Sequence, residues 1–224
     1  MGDKKRKDAM IKTASKALLV VACVTFVLLM ILSGMGTHWL TMFTVIKPGD
    51  AVVVDYTLYD VTGKPLLTTN QQLAAKENII YTDKRLSVTA GQNLTKAIYP
   101  VSIYTGSSYT PTQFALLNTE YEAISHAIIG MKTGDQKRVQ IPRSSNPQLW
   151  DAATIAQSGL NVSNLHVGSL VPMAMSDNPE AMATNSTTTY LRVGEITDIS
   201  GDGTVVDVDY PTADISIYSI NANN

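Results

Sequence analysis

The sequence predicts an α+β chain: a single N-terminal transmembrane helix, then a body of strands that includes a short helix. Three observations predict it. Residues 17–32 form an almost unbroken apolar run behind a basic tip. Residues 52–58 alternate apolar and polar positions with β-branched and aromatic side chains, the period of a half-buried strand. Residues 120–141 read as a helix, a glycine turn and a second alternating strand.

The apolar run, Ala17 to Leu32, continues without charge to Lys47. About 19 helical residues reach roughly 28 Å, close to the hydrocarbon thickness of a bilayer. Residues 1–16 carry six basic and two acidic side chains. That asymmetry predicts a cytoplasmic tip (1–16), a membrane helix (17–36), a juxtamembrane linker (37–44) and an extracytoplasmic body in the cell membrane. His38, Trp39 and Phe43 suit the outer interfacial belt. A cleaved leader would show a shorter apolar core and a clearer site than Ser33-Gly34-Met35-Gly36. A lipid-modified Cys23 fits poorly, because the run continues past it.

Beyond residue 16 there are 11 basic and 17 acidic residues. An acidic body argues against nucleic acid, which needs a basic folded face. One cysteine, Cys23, excludes an intrachain disulfide or a Cys-based zinc site.

The body opens with a Lys47-Pro48-Gly49-Asp50 turn, in which proline presets φ while glycine and aspartate tolerate the bend after it. Val52, Val54, Tyr56 and Leu58 then share one strand face, and Asp60 to Lys64 turns through Gly63. Asn70 is the expected N-cap of a short helix. Tyr81 to Pro111, rich in Thr, Ser, Tyr and Gly, reads as short strands or an irregular loop. Glu120 to Ile129 places Tyr121, Ile124, Ile128 and Ile129 at helical spacing. The helix ends at Gly130-Met131-Lys132-Thr133-Gly134, where Gly130 or Gly134 supplies the positive φ. Lys137 to Ile141 is a strand closed by Pro142. Strands are also expected around Leu165–Met175, Thr189–Ile199 and Val205–Asp209.

The pieces in this order resemble FKBP-type peptidyl-prolyl cis-trans isomerases. In that family a Gly-Asp turn leads into Val-Asp-Tyr-Thr and Asp-x-x-Gly-Lys, matched by Gly49 to Lys64. A short helix followed by Gly-Met-Lys-x-Gly-Glu and a strand ending in Ile-Pro matches Glu120 to Pro142. The closing Val-Asp-x-Asn-His-Pro motif matches Val206 to Pro211, with Asp209-Tyr210-Pro211 in place of Asn-His-Pro. The resemblance is to the long archaeal or two-domain prokaryotic type. It implies an FKBP-like antiparallel half-barrel with a central short helix over 45–147 and 206–224, interrupted by a small insert-in-flap β domain over 148–205, which in that family binds unfolded chains.

The resemblance also implies a site. Prolyl isomerisation uses no cofactor or metal; a dry apolar bowl must hold the twisted imide better than either planar form. Tyr56 stands at the family's first-strand tyrosine. Leu66 and Leu67 replace its Phe-Asp pair. Glu120-Tyr121-Glu122-Ala123 replaces Val-Ile-Pro-Gly, so Tyr121 takes the isoleucine position. Ile124 forms the bowl floor, Asn146-Pro147-Gln148 replaces Ala-Tyr-Gly, and Ile215 replaces the last-strand phenylalanine. The bowl stays apolar but becomes aliphatic and poor in donors. Tyr56, Ile124 and Ile215 would equally be core residues of any half-barrel packed on a helix.

The implied function is a membrane-anchored isomerase and folding helper for unfolded or proline-containing polypeptides. The alternatives are a catalytically degenerate binding module, or an accessory subunit of a membrane complex; Leu67, Ala123 and Pro147 favour these. His38, His126 and His166 lack ligand spacing. Asp207 and Asp209 share a strand face that reads as solvated. Asn93, Asn161 and Asn185 head N-x-Ser/Thr sequons. Met173, Met175 and Met182 suit either a small core or a soft binding surface.

Overall fold

A computed structural model describes residues 18–27, 29–30, 44–82, 84–104, 112–144, 147–176, 189–200 and 203–221. The chain divides into two units, Met1–Phe43 and Thr44–Asn224.

In the first unit, residues 18–27 and 29–30 are helical and exposed, and Thr25 Oγ1 donates to the Val21 carbonyl at 2.9 Å. No helix among the described residues is long and apolar enough to cross a membrane. This overturns the transmembrane helix and, with it, the single-pass placement with an extracytoplasmic body. Hydropathy reads the composition of a run. A crossing also needs about 20 helical residues, and the described helical positions stop short of that. The proposed belt residues His38, Trp39 and Phe43 lie outside the described residues.

The second unit is built mainly of strands, correcting the α+β expectation. Its helices are short: α1 (Gln71–Glu77), α2 (Asn118–Ala127) and α3 (Ala152–Gln157). The first sheet runs β3 (Ile80–Tyr81), β2 (Pro65–Thr68), β1 (Ala51–Tyr59), β12 (Thr212–Asn221), β7 (Gln136–Gln140), with β4 (Leu86–Thr89) also on β1. β1 is central because its alternation is real: Val52, Val54, Tyr56 and Leu58 are buried, while Val53, Asp55 and Tyr59 are half-exposed. Its register with β12 sets Tyr56 opposite Ile215, and its register with β2 sets Leu58 opposite Leu67. Thr57 departs from the alternation by sharing a 2.7 Å hydroxyl contact with Thr68.

Local signals place the connections. Asp60 Oδ1 accepts from the amides of Thr62 and Lys64 and closes the β1–β2 turn. Asn70 caps α1 by accepting from the amides of Gln72 and Leu73. The turn that follows α2 closes at Gly130, whose φ of 84° is left-handed backbone that glycine adopts without a Cβ penalty. Its amide donates to the Ile46 carbonyl at 2.9 Å, and the Ile46 amide donates back to the Met131 carbonyl. Ser125 Oγ donates to the carbonyls of Thr89 and Gln92, tying α2 to β4.

The second sheet runs β5 (Ile98–Ile103), β6 (Thr112–Leu117), β10 (Tyr190–Ser200), β11 (Gly203–Asp207), β8 (Gln148–Trp150), with β9 (Leu170–Met175) also on β10. Trp150, Ile155, Val171, Ile196, Val206 and Val208 form an apolar cluster of their own there. The stretch from Tyr81, expected as short strands or an irregular loop, carries the strands β4 and β5 among its described residues. β5 pairs with β6 from Ile98↔Leu117 to Ile103↔Thr112. Pro100 and the polar Ser102 break the alternation that would have marked β5, although Ile98, Val101 and Ile103 are buried.

Candidate functional site

The first sheet and α2 share one apolar core, and the six residues of the expected bowl meet in it. Tyr56, Leu66, Leu67, Tyr121, Ile124 and Ile215 all belong to one apolar core with Ile128, Val139 and Ile217. None of the six is more than 3% exposed. Sequence order and strand register bring them together, and burial then closes them off.

β5, β6, β10 and the segment after β11 add side chains to the same core. Val101, Ile103, Phe114, Leu116, Val193 and Tyr210 are part of the same core. The Tyr99 ring lies 5.0 Å from the Tyr121 ring, centroid to centroid, and the Phe114 ring 6.3 Å from the Tyr210 ring. The Tyr121 hydroxyl accepts from the Thr89 amide at 3.3 Å. Burial pushes the Tyr121 phenol above its ordinary value.

Tyr56 differs from its neighbours. Its hydroxyl is buried and has no hydrogen-bond partner among the described residues. Burial, and then the nearby Glu120 carboxylate, push its phenol far above the ordinary range, so it is a neutral donor at any physiological pH. An unmet buried hydroxyl carries a desolvation cost that a phenyl ring does not. Tyr56→Phe is therefore expected to fold with unchanged stability, or to gain up to about 1 kcal/mol. A urea unfolding midpoint well below that of the parent chain would show that the hydroxyl is in fact satisfied.

Beside the bowl lies an ion pair that sequence reasoning missed. Arg192 is 0% exposed and Glu120 1%. Arg192 Nη1 donates to Glu120 Oε2 at 2.9 Å and to the Ala115 carbonyl at 2.8 Å. Its Nη2 donates to Glu120 Oε1 and to the Val208 carbonyl, both at 2.5 Å, and its Nε reaches the same carbonyl at 3.0 Å. All five guanidinium N–H groups are thus used. Glu120 Oε2 also accepts the Leu117 amide at 2.9 Å, at the start of α2. The Arg192 guanidinium stacks 3.7 Å over the Tyr210 ring. Its one visible signal in the sequence is an arginine inside the apolar strand Tyr190-Leu191-Arg192-Val193.

The other marked residues gather elsewhere. Asp207 and Asp209 are 4% and 7% exposed, so the solvated-face reading is corrected. Arg143 Nη2 donates to Asp207 at 2.8 Å, and Ser144 donates to Asp209 through its amide (3.2 Å) and its hydroxyl. No group of three or more ligating side chains able to hold a metal occurs among the described residues. His126 contacts Asn93 at 2.8 Å, and His166 lies in the insert region. Asn146 lies outside the described residues.

Glu195, 4% exposed, has an Oε2 with no hydrogen-bond partner among the described residues. Burial, and then Asp60, push its carboxyl up; Asp207 adds to the effect and Lys64 opposes it. The folded chain therefore holds that proton more tightly than the unfolded chain does. Stability contributed at low pH is lost as pH rises through the raised value. Glu195→Gln should remove this loss, so its melting temperature should gain on the parent's between pH 4 and pH 7. A difference that stays constant with pH would refute the assignment.

Among the described residues the bowl lacks a nucleophile paired with a base. It offers a dry aromatic and aliphatic surface, one unengaged phenol and the helix-start carboxylate held by Arg192. Comparison with known proteins agrees in kind. The chain is 33% identical over 117 residues, 52% of its length, to a short-type peptidyl-prolyl cis-trans isomerase of Methanocaldococcus jannaschii. The match spans 59% of that relative's length. The relative is of the short type, so it lends no support to the long type that was expected from the motifs. No protein-family model matches the chain.

Proposed function

We propose that this chain is an FKBP-type peptidyl-prolyl cis-trans isomerase that acts on Xaa-Pro bonds of unfolded polypeptides. The observation that carries the reading is the convergence of Tyr56, Leu66, Leu67, Tyr121, Ile124 and Ile215 in one buried apolar core, with Tyr56 opposite Ile215 in the β1–β12 register. The similarity to an isomerase from M. jannaschii supports it. In this reading residues 45–147 and 206–224 supply the isomerase body, and the insert over 148–205 holds client chains.

The chemistry asked of the bowl is modest. The imide barrier is about 20 kcal/mol because the C–N bond has partial double-bond character. Catalysis means binding the twisted imide more tightly than the planar one. Removing water from the carbonyl disfavours its charge-separated planar form. The Tyr56 phenol, neutral and unengaged, is the donor available to the bound chain.

One observation favours a second reading, a binding module without catalysis: all six positions are almost fully buried. Exchange spectroscopy on short Xaa-Pro peptides with the full chain separates the two. Acceleration above the uncatalysed rate, reduced in Tyr56→Phe, supports the isomerase. A folded chain that binds unfolded polypeptide and leaves the exchange rate unchanged leaves only the binding module.

A further inference from the structure

We propose that Glu195 works as a proton-operated clasp, fastening the β1–β2 turn to the second sheet in acid and slackening it toward neutral pH. It holds whether or not the chain is an isomerase. Three observations carry it.

First, carboxylates converge on one place. The β10–β11 register sets Glu195 directly opposite Asp207. Like charges facing each other across two strands destabilise the pairing. Asp60, the residue after β1, acts on Glu195 as well, and Asp209 follows two residues beyond Asp207. All four are 7% exposed or less.

Second, their charge is not matched. Arg143 Nη2 lies 2.8 Å from Asp207, and its Nε 3.9 Å from Asp209. Ser144 serves Asp209 through its amide and hydroxyl. Lys64, exposed on the turn, is the cation that acts on Glu195. The remaining sides are uncharged. Leu170 of β9 is the other register partner of Glu195, and a Cβ on Gly168 would lie 4.0 Å from Glu195 Oε1. His166, two residues before that glycine, is exposed. Glu195 Oε2 has no hydrogen-bond partner among the described residues. A buried carboxylate oxygen without a donor is costly. A proton on it removes the charge and makes it a donor to carboxylates nearby.

Third, the turn is held at this point. Its own bonds are internal: Asp60 Oδ1 accepts from Thr62 and Lys64, and the Gly63 amide donates to the Asp60 carbonyl. Residues 61–64 are exposed. The tie to the second sheet is the Val61 backbone, which hydrogen-bonds the Glu195 carboxyl. With the turn docked, Glu195 keeps its proton to higher pH than with the turn free. Docking therefore weakens as pH rises from the ordinary carboxylate value through the raised one, about tenfold for each unit between them.

The test is deuterium exchange of the Val61 amide in the full chain from pH 4 to pH 7, expressed as protection relative to the intrinsic rate. The parent should lose at least about fivefold. Glu195→Gln, which keeps a donor and carries no charge, should lose none. Lys64→Gln, at an exposed position, removes the cation that favours the ionised form and should deepen the loss. The Ile217 amide, which donates to the Asp135 carbonyl within the same unit, should stay far better protected than Val61 at every pH. A flat parent profile overturns the clasp, and this readout needs no variant to fold. A Glu195→Gln profile that falls like the parent's overturns it too. Equal protection of Val61 and Ile217 makes the loss global unfolding and also overturns it. So does recovery of parent protection at pH 7 on adding millimolar calcium, which would make the cluster a cation site.

Discussion

Arg192→Met is expected to destabilise the Thr44–Asn224 unit by about 3–5 kcal/mol, the usual cost of removing one partner from a buried ion pair. Glu120 would remain at 1% exposure with its countercharge gone. The carbonyls of Ala115 and Val208 would also lose their donors. Methionine restores much of the volume, so the loss is electrostatic rather than a cavity effect. The accompanying Glu120→Gln removes the stranded charge and keeps an acceptor for the Leu117 amide. The double variant should therefore be more stable than Arg192→Met alone. Urea unfolding of the four chains gives the coupling directly. A cost below about 1 kcal/mol for Arg192→Met would place the pair among solvent-screened contacts, where exposed bridges belong. The effect should extend beyond the local strand. Arg192 joins β10, the start of α2, β6 and the segment after β11, so near-ultraviolet signals from Tyr56, Tyr121 and Tyr210 should change together.

Gly194→Ala carries the second large effect, about 1–3 kcal/mol from overpacking. A Cβ at Gly194 would lie 2.5 Å from Val206 Cγ1 and 3.3 Å from the Asp207 carbonyl oxygen. Val206 is fully buried and branched at Cβ, so it has no free rotamer into which to retreat. The strands must part instead. That movement pulls on the Val208 carbonyl, which accepts twice from Arg192. Gly194→Ala and Arg192→Met should therefore combine non-additively, since they weaken one shared contact. Full additivity, or a Gly194→Ala chain as stable as the parent, would show that the close approach of β10 to residues 206–208 is not needed.

Much of the local structure was legible because its causes lie within a few residues. Pro48-Gly49 makes the opening turn, Asn70 caps α1 and Gly130 closes the turn after α2. The period-two pattern of β1 and the helical spacing of Tyr121 and Ile124 survive in the structure, since each follows from which side chains face the core. Motif order nominated six positions that share one buried core, and the β1–β12 register brings Tyr56 opposite Ile215. The apolar run from Ala17 misled in a specific way. Composition showed greasy residues behind a basic tip, but among the described residues no helix reaches crossing length.

The features that escaped depend on partners distant in sequence. β5 hides behind Pro100 and Ser102, because its apolar face becomes visible only once β6 lies beside it. Arg192 looks like a misplaced charge in an apolar strand until Glu120 arrives, 72 residues away in the chain. Asp207 and Asp209 look solvated until Arg143 and Ser144 cover them.

By itself, then, the sequence determined the turns, caps, strand faces and the apolar character of the bowl, since those follow from backbone sterics and hydrophobic periodicity. The tertiary structure alone decided that the six nominated positions are almost fully buried, that a buried Arg192–Glu120 pair joins β10 to α2, and that the Tyr56 hydroxyl has no partner among the described residues. Each depends on which distant groups exclude water from a given atom, and desolvation is a property of the packed chain rather than of any stretch of it.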